Sequence, residues 1–336
     1  MRARMISVVC GLLLLVGQGG ATSSFTYYAI DVPCSACSGG IALRTAPSGI
    51  NAPGEIVGGF TDAVGGQHGF LLSRGQFTTI DVPGSLVGVA GTLPTNANGI
   101  NPSGDIVGQF TAPYNPPVST SAAINDPRYC PAAKSPACIK GFLYSHGDFS
   151  VVLFPGHPGA IPEHITPDGD IYGCLHDYDL MGSMFGAVWT RSGDSSLTAG
   201  GGELIDSTQS FPSSMNNGAA GNGLIAGLWD DMNTPSHRHG FLVQNGMFRP
   251  YDVPSSTVSL TAIFDMNREG QFVGTYVDAT GRHGFLQNPD GSAPIQLDAP
   301  GGANTVAFGI NPEGAVVGTY TASGKSRGFL AVPVGR

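Results

Sequence analysis

Gly49-Ile50-Asn51, a short turn, then Ile56-Val57-Gly58: this stretch decides the fold, because the chain says it again and again. It returns as Gly99-Ile100-Asn101 with Ile106-Val107-Gly108, as Asp265-Met266-Asn267 with Phe272-Val273-Gly274, and as Gly309-Ile310-Asn311 with Val316-Val317-Gly318. Two degenerate copies read His164-Ile165-Thr166 with Ile171-Tyr172-Gly173, and Met215-Asn216 with Ile225-Ala226-Gly227. Most copies lie roughly 45–50 residues apart, the period of a repeat architecture.

Two further phrases follow in order. A cation-Gly-Phe-Leu phrase stands at His68-Gly69-Phe70-Leu71, Lys140-Gly141-Phe142-Leu143, His239-Gly240-Phe241-Leu242, His283-Gly284-Phe285-Leu286 and Arg327-Gly328-Phe329-Leu330, with a weak copy at 185–188. An Ile-Asp-Val-Pro phrase stands at Ile30-Asp31-Val32-Pro33 and Ile80-Asp81-Val82-Pro83, with relatives at Ile205-Asp206, Tyr251-Asp252-Val253-Pro254 and Leu297-Asp298-Ala299-Pro300. Each repeat thus holds four short strands, here A (ending in the Gly-Ile-Asn phrase), B (Ile-Val-Gly), C (Gly-Phe-Leu) and D (Ile-Asp-Val-Pro). With 51 Gly and 25 Pro among 336 residues, long helices are disfavoured, while only 12% charged residues argues against disorder. The expectation is an all-β protein, a six-bladed β-propeller of four-stranded repeats. The chain opens with a D strand at 27–32 and ends with a C strand at 327–332, so the N-terminal strand should complete the last blade and close the ring.

The C–D hairpins can be registered from spacing. His68 and Asp81 straddle Arg74-Gly75, His239 and Asp252 straddle Asn245-Gly246, and His283 and Asp298 straddle Asp290-Gly291. An x-Gly pair at the midpoint is a two-residue hairpin signal. Cation and Asp then face each other as structural cross-strand pairs, and ring closure should set Arg327 against Asp31. Asn51, Asn101, Asn267 and Asn311 read as turn and cap residues.

The three phrases in this order resemble the bacterial extracellular repeat of the HAF family, with His-Gly-Phe here where the family has His-Ala-Phe. The resemblance spans nearly the whole chain after the leader. It implies export and repetition, and no shared reaction.

The leader itself is read at 1–21: Arg2 and Arg4, an apolar core at 8–16, and small residues Gly19-Gly20-Ala21 for cleavage. The remainder, 22–336, is expected to be a single propeller domain with an insertion at 113–139. Without Arg2 and Arg4 the net charge moves from −9 to −11, which excludes nucleic acid as a partner and gives no attraction to anionic membranes. No later segment reads as a membrane insertion, and a secreted or periplasmic monomer is expected. In such a compartment Cys34–Cys37 and Cys130–Cys138 are expected as local disulfides, cross-pairing between the two loops being the alternative, with Cys174 a buried thiol.

Turns between A and B, and between C and D, are mostly short. The long connections, B–C and D–A, open on the opposite face, so a ligand site is expected there, at the mouth of the central channel. Repeat 3 departs most from consensus and gathers Glu163, His164, His176 and Asp177, the candidates for general acid and base or, with a divalent metal, for ligation. The competing reading is a drifted blade with Asp-rich turns, Asp168-Gly169-Asp170 among them. Trp229 follows strand B near the variable face and is the candidate for stacking on a sugar, whereas Trp189 reads as core. No phosphate cradle, HExxH or GxSxG occurs. The expected function is a non-catalytic binding module for a glycan, peptide or envelope component, without an obligatory cofactor. The alternatives are a polysaccharide hydrolase or lyase using repeat 3, and an envelope structural protein.

Overall fold

The computed structural model describes residues 13–15, 25–113, 137–154, 157, 159–176, 184–192, 196–198, 214–230, 238–245, 247–254 and 258–334. Among these residues the strands form six antiparallel sheets. Blade 1 runs through Arg44–Ile50, Ile56–Thr61, Gln67–Ser73 and Gln76–Ile80. Blade 2 runs through Thr95–Ile100, Ile106–Pro113, Ala137–Ser145 and Asp148–Val152. Blade 3 is Gly159–Ile165, Ile171–His176, Met184–Ser192 and Ser196–Thr198. Blade 4 is Ser214–Ala219, Ile225–Asp230, Arg238–Gln244 and Met247–Tyr251. Blade 5 is Leu260–Met266, Phe272–Asp278, Gly281–Gln287 and Ile295–Leu297. Blade 6 takes Ala303–Ile310, Val316–Ala322 and Lys325–Pro333 from the end of the chain and Phe25–Ile30 from its beginning. The molecule is a six-bladed propeller closed by its N-terminal strand, which runs antiparallel to the last one from Phe25↔Pro333 to Ile30↔Gly328. Leu13–Leu15, read in the sequence as part of a leader, lies as a fifth strand outside Phe25–Ile30.

The repeated phrases are the chemistry of the seams between blades. Side chains on a strand alternate faces. In the Ile-Val pair of strand B, Ile106 therefore packs towards blade 1, in the cluster with Ile80, Val82 and Val57, while Val107 packs towards blade 3 with Ile165 and Ile171. The B-strand glycine makes room for the phenylalanine of strand C: a Cβ on Gly58 would come within 2.8 Å of the Phe70 ring and 2.2 Å of the Ala46 carbonyl. The hydrophobic core is thus a set of layers between neighbouring sheets, and the axis is left open.

The hairpins differ in one place from the sequence reading. Arg74-Gly75 and His146-Gly147 form two-residue turns with both residues at positive φ, as type I′ turns require. In blade 5 the ladder ends at Leu286↔Ile295, so Asp290-Gly291 belongs to a longer loop. Gln287 holds that loop by donating to the carbonyls of Asn288 and Ser292 at 2.8 and 2.7 Å. A second correction concerns blade 4. Its copy of the first phrase is Gly218-Ala219-Ala220 rather than Met215-Asn216, because Ala220 N donates to Leu224 O as Asn51 N does to Glu55 O.

Cys34 and Cys37 are disulfide-bonded. Cys138 is also disulfide-bonded, and Cys130, along with most of the 113–139 insertion, lies outside the described residues. Cys174 is buried and unbridged.

Candidate functional site

Each inner strand carries an irregularity of register at the same place: between Pro47 and Gly49, Ala97 and Gly99, Pro162 and His164, Asn216 and Gly218, Ile263 and Asp265, and Ala307 and Gly309, blade 6 having a second between Ala303 and Val306. A β-bulge leaves its extra residue unpaired and re-aims it. The six residues so released are Ser48, Asn98, Glu163, Asn217, Phe264 and Phe308, and all six line one cavity of about 440 Å³ on the axis. The cavity also takes in Arg44 and Thr95 from the starts of inner strands, and Thr61 and His68 from the B–C ends. It therefore opens on the B–C and D–A face. The bulge ring is two-sided. Blades 1 to 4 give Ser48, Asn98, Glu163 and Asn217; blades 5 and 6 give Phe264 and Phe308, whose rings pack with centroids 4.9 Å apart.

The two asparagines of the ring are committed to neighbouring blades, Asn98 donating to Pro162 O at 2.9 Å and Asn217 to Ile263 O at 2.7 Å. Glu163 is not: among the described residues nothing hydrogen-bonds its carboxyl group. It is half-buried on the channel wall, and the protein packed around it pushes its pKa up to about 8. The same burial, together with the charge of Glu163, raises the thiol of Cys174.

One residue after the bulge, four blades have glycine, because inner strands meet there backbone to backbone. A Cβ on Gly49 would lie 2.7 Å from Asn98 O, and one on Gly309 would lie 2.6 Å from Ser48 O. Blades 3 and 5 depart from this together, with His164 and Asp265. The two side chains meet at 2.8 Å, Nδ1 to Oδ1, between blades that are not neighbours. Asp265 is fully engaged: Oδ1 also accepts from Met266 N and Oδ2 from Ile310 N. His164, Ile50, Ile100 and Ile310 border both this cavity and a second one on the A–B turn face, so they form the waist of the channel.

Of the four sequence candidates for chemistry, Glu163 and His164 thus share the channel. His176 pairs with Gly159 at the opposite end of its strand, four positions beyond Glu163, and Asp177 lies outside the described residues. Asp168-Gly169-Asp170 is a turn closed by Gly169 N to Thr166 O at 2.9 Å and Asp170 N to Thr166 Oγ1 at 3.0 Å. Among the described residues no three His, Cys, Asp or Glu side chains gather as a metal site would need.

The C–D cations have their partners. His68 Nδ1 lies 2.8 Å from Asp81, with Asp62 at 3.4 Å on Nε2; His239 and His283 lie 2.9 Å from Asp252 and Asp298; Arg327 donates to Asp31 at 3.3 Å. Burial opposes the charge on His68, yet the hydrogen bonds its ring donates to Asp81 and Asp62, with the charges of those carboxylates, outweigh it and raise the pKa. Sequence reasoning missed the third member, an aromatic of strand B: Phe60 stacks on His68 at 5.0 Å and Trp229 on His239 at 4.7 Å. One face of the Trp229 ring is therefore covered by imidazole. Trp189 is fully buried and donates to Leu153 O at 2.9 Å.

Fold and site together define a six-bladed propeller with an axial pocket on its long-loop face. No family model matches the chain, and no curated protein does. Among solved structures it is similar to a gluconolactonase of Xanthomonas campestris (10% identity over 98% of this chain and 100% of that one, TM-score 0.47). It is also similar to the six-bladed fucose lectin of Aleuria aurantia (13% identity, 83% and 93% covered, TM-score 0.42). The sialidase of Trypanosoma rangeli is a third (9% identity, 91% and 56% covered, TM-score 0.48). These likenesses concern the propeller fold alone.

Proposed function

We propose that this chain is an exported, non-catalytic binding module of the HAF-repeat kind. It holds a polar ligand of the cell envelope or its surroundings, a glycan first, in the axial pocket of the long-loop face. One observation carries the reading: the bulge ring sets a polar wall, Ser48 and Glu163 foremost, across from the paired rings of Phe264 and Phe308. Polar groups on one side and aromatic faces on the other suit a ligand with hydroxyl edges and a C–H face.

The hydrolase reading needs two working carboxyl groups on either side of a bond. Glu163 supplies one. The other carboxylate on the cavity wall, Asp265, already accepts from His164, Met266 N and Ile310 N and is held as a structural acceptor. Binding without turnover is what the pocket supports.

The test is a glycan and peptide array probed with the chain from residue 22 onward, followed by titration calorimetry on each hit. Replacing Phe264 and Phe308 together by Ala should weaken binding by about tenfold or more, the worth of one or two aromatic stacking contacts. Silence across the array, or hits indifferent to both rings, would sink the reading.

A further inference from the structure

We propose that the ligand of this pocket carries a primary ammonium on a saturated ring, as a deacetylated amino sugar does, with Glu163 as the ammonium's acceptor and Phe264 and Phe308 as the facing wall. This rests on the binding-module reading and goes further by naming the chemistry recognised.

Glu163 is half-buried on the channel wall, and a carboxyl group partly withdrawn from water favours a donor that can reach it. Glu163 has no hydrogen bond among the described residues. The neighbouring His164 is spent on Asp265. The other cations on the cavity wall are equally unhelpful: Arg238 is bound to Asp230 at 2.7 and 3.2 Å, and His68 to Asp81 and Asp62. Arg44 stands at the rim, four residues up the inner strand from Ser48, which is about 13 Å at strand rise. A second acceptor is in the same condition. Gln109 lines the cavity, and its Oε1 is buried with no hydrogen-bond partner. The accessible acceptor is the carboxyl group of Glu163, with the unmet Gln109 Oε1 behind the wall, and it calls for a ligand that brings a donor.

The opposite wall selects among donors. Phe264 and Phe308 are half-buried and sit on blades 5 and 6, so Phe308 lies across the axis from blade 3 and Glu163. Aromatic faces attract an ammonium and pack against saturated C–H groups. A carboxylate on one side and two rings on the other therefore match a ring-borne amine. An anionic ligand would meet both Glu163 and Asp265 unfavourably, and an N-acetylated sugar offers Glu163 no charge. The cavity volume lies within the range of small-molecule sites.

Binding of this kind is linked to protons. Glu163 must be ionised in the complex, while burial keeps it protonated below about pH 8 in the empty pocket. Asp265, His164, Arg44, Arg238 and His68 are the other charged or titratable groups on the wall, and apart from Arg44 each is engaged as described.

The experiment is calorimetry of the chain from residue 22 with glucosamine oligomers and their N-acetylated counterparts, at about pH 6 and about pH 8.5, in buffers of different ionisation heat. We expect the glucosamine oligomers to bind, the N-acetylated ones to bind at least about tenfold more weakly, and one proton to be released on binding near pH 6 but, because a sugar amine is largely neutral at about pH 8.5 and must bind as ammonium, a proton to be taken up there. Glu163→Gln, which keeps shape and removes the titrating group, should lose about tenfold or more in affinity and abolish the proton release. Equal binding of both sugar series, an unaffected Glu163→Gln, or no binding of the glucosamine oligomers would overturn the proposal. If the array still yields ligands dependent on Phe264 and Phe308, the binding-module reading survives that failure; if it yields none, both fall together.

Discussion

One extra residue per inner strand decides what the channel contains. A strand of even pleat would send position 163 back into the sheet; the bulge between Pro162 and His164 turns it towards the axis. The consequence for Glu163 is an acid that holds its proton more tightly folded than unfolded. A group whose folded pKa is raised, from 4.5 to about 8 here, binds more protons in the native state over that interval, so stability falls as pH rises through it. Each unit of separation is worth about 1.4 kcal/mol before channel water softens it. Glu163→Gln removes the linkage. Thermal denaturation of the two proteins from about pH 5 to pH 8.5 should show the variant gaining on the parent steadily with pH, by about 1–4 kcal/mol at the alkaline end. Parallel curves would mean that Glu163 is solvated like a surface acid.

At the scale of elements, the A–B turn does two jobs with one side chain. Asn51 Oδ1 accepts from Glu55 N at 2.8 Å and closes its own turn, while Nδ2 donates to Asn101 O of the next blade at 3.0 Å. Asn101 reaches Thr166 O, Asn267 reaches Asn311 O, and Asn311 reaches Asn51 O across the closing seam. Among the described residues the ring lapses at Thr166 of blade 3, whose hydroxyl accepts from Asp170 N, and where blade 4 has Ala220. Ala220→Asn should restore a donor towards Asn267. Because Asn222 Oδ1 already serves Leu224 N at 3.1 Å, the gain is the inter-blade bond alone, about 0.5–1 kcal/mol by chemical denaturation. A loss of stability would show that the blade 3 to blade 5 side of the ring is set differently from the rest. The turn half of this role was legible, since an Asn before a tight turn has a local signature. The inter-blade half was not, because it joins residues 44 to 65 positions apart, and 260 apart at the closing seam. The bulge ring is a sharper case. Every member stands three residues before the turn residue, yet Ser48, Asn98, Glu163, Asn217, Phe264 and Phe308 share no chemistry, so no consensus betrays them. Repetition exposes what the scaffold needs; a site is where copies stop agreeing. Blade 4 shows the reverse error, in which Met215-Asn216 mimicked the phrase while the backbone used Gly218-Ala219-Ala220.

For the whole molecule, the seam of blade 6 is the place where covalent continuity is missing. In blade 1, strands C and D are joined by Arg74-Gly75, and a disturbance between them leaves the outer strand tethered. Phe25–Ile30 has no such tether to Lys325–Pro333; its hold is the ladder itself, Arg327 on Asp31, and the packing of Phe25 and Tyr27 with Phe329 and Leu297. Gly69 and Gly328 are equivalent positions with equivalent crowding: a Cβ would come 2.5 Å from Ile80 O in one and 2.6 Å from Ile30 O in the other, with Pro47 Cδ of blade 1 at 2.7 Å from the latter. Valine at either site must push strand D away, at about 1–3 kcal/mol or more for the overpacking. The responses should nonetheless differ. Gly69→Val strains one hairpin. Gly328→Val drives a wedge between the two ends of the chain and the first blade, and an open ring exposes the apolar edge that closure had covered. We therefore expect Gly328→Val to lower the melting temperature more than Gly69→Val, and to render the segment around residues 25–30 cleavable by protease under conditions where Gly69→Val leaves it protected. Equal protection of that segment in the two variants would mean that closure does not depend on this contact, and that the ends are held by the flanking blades instead.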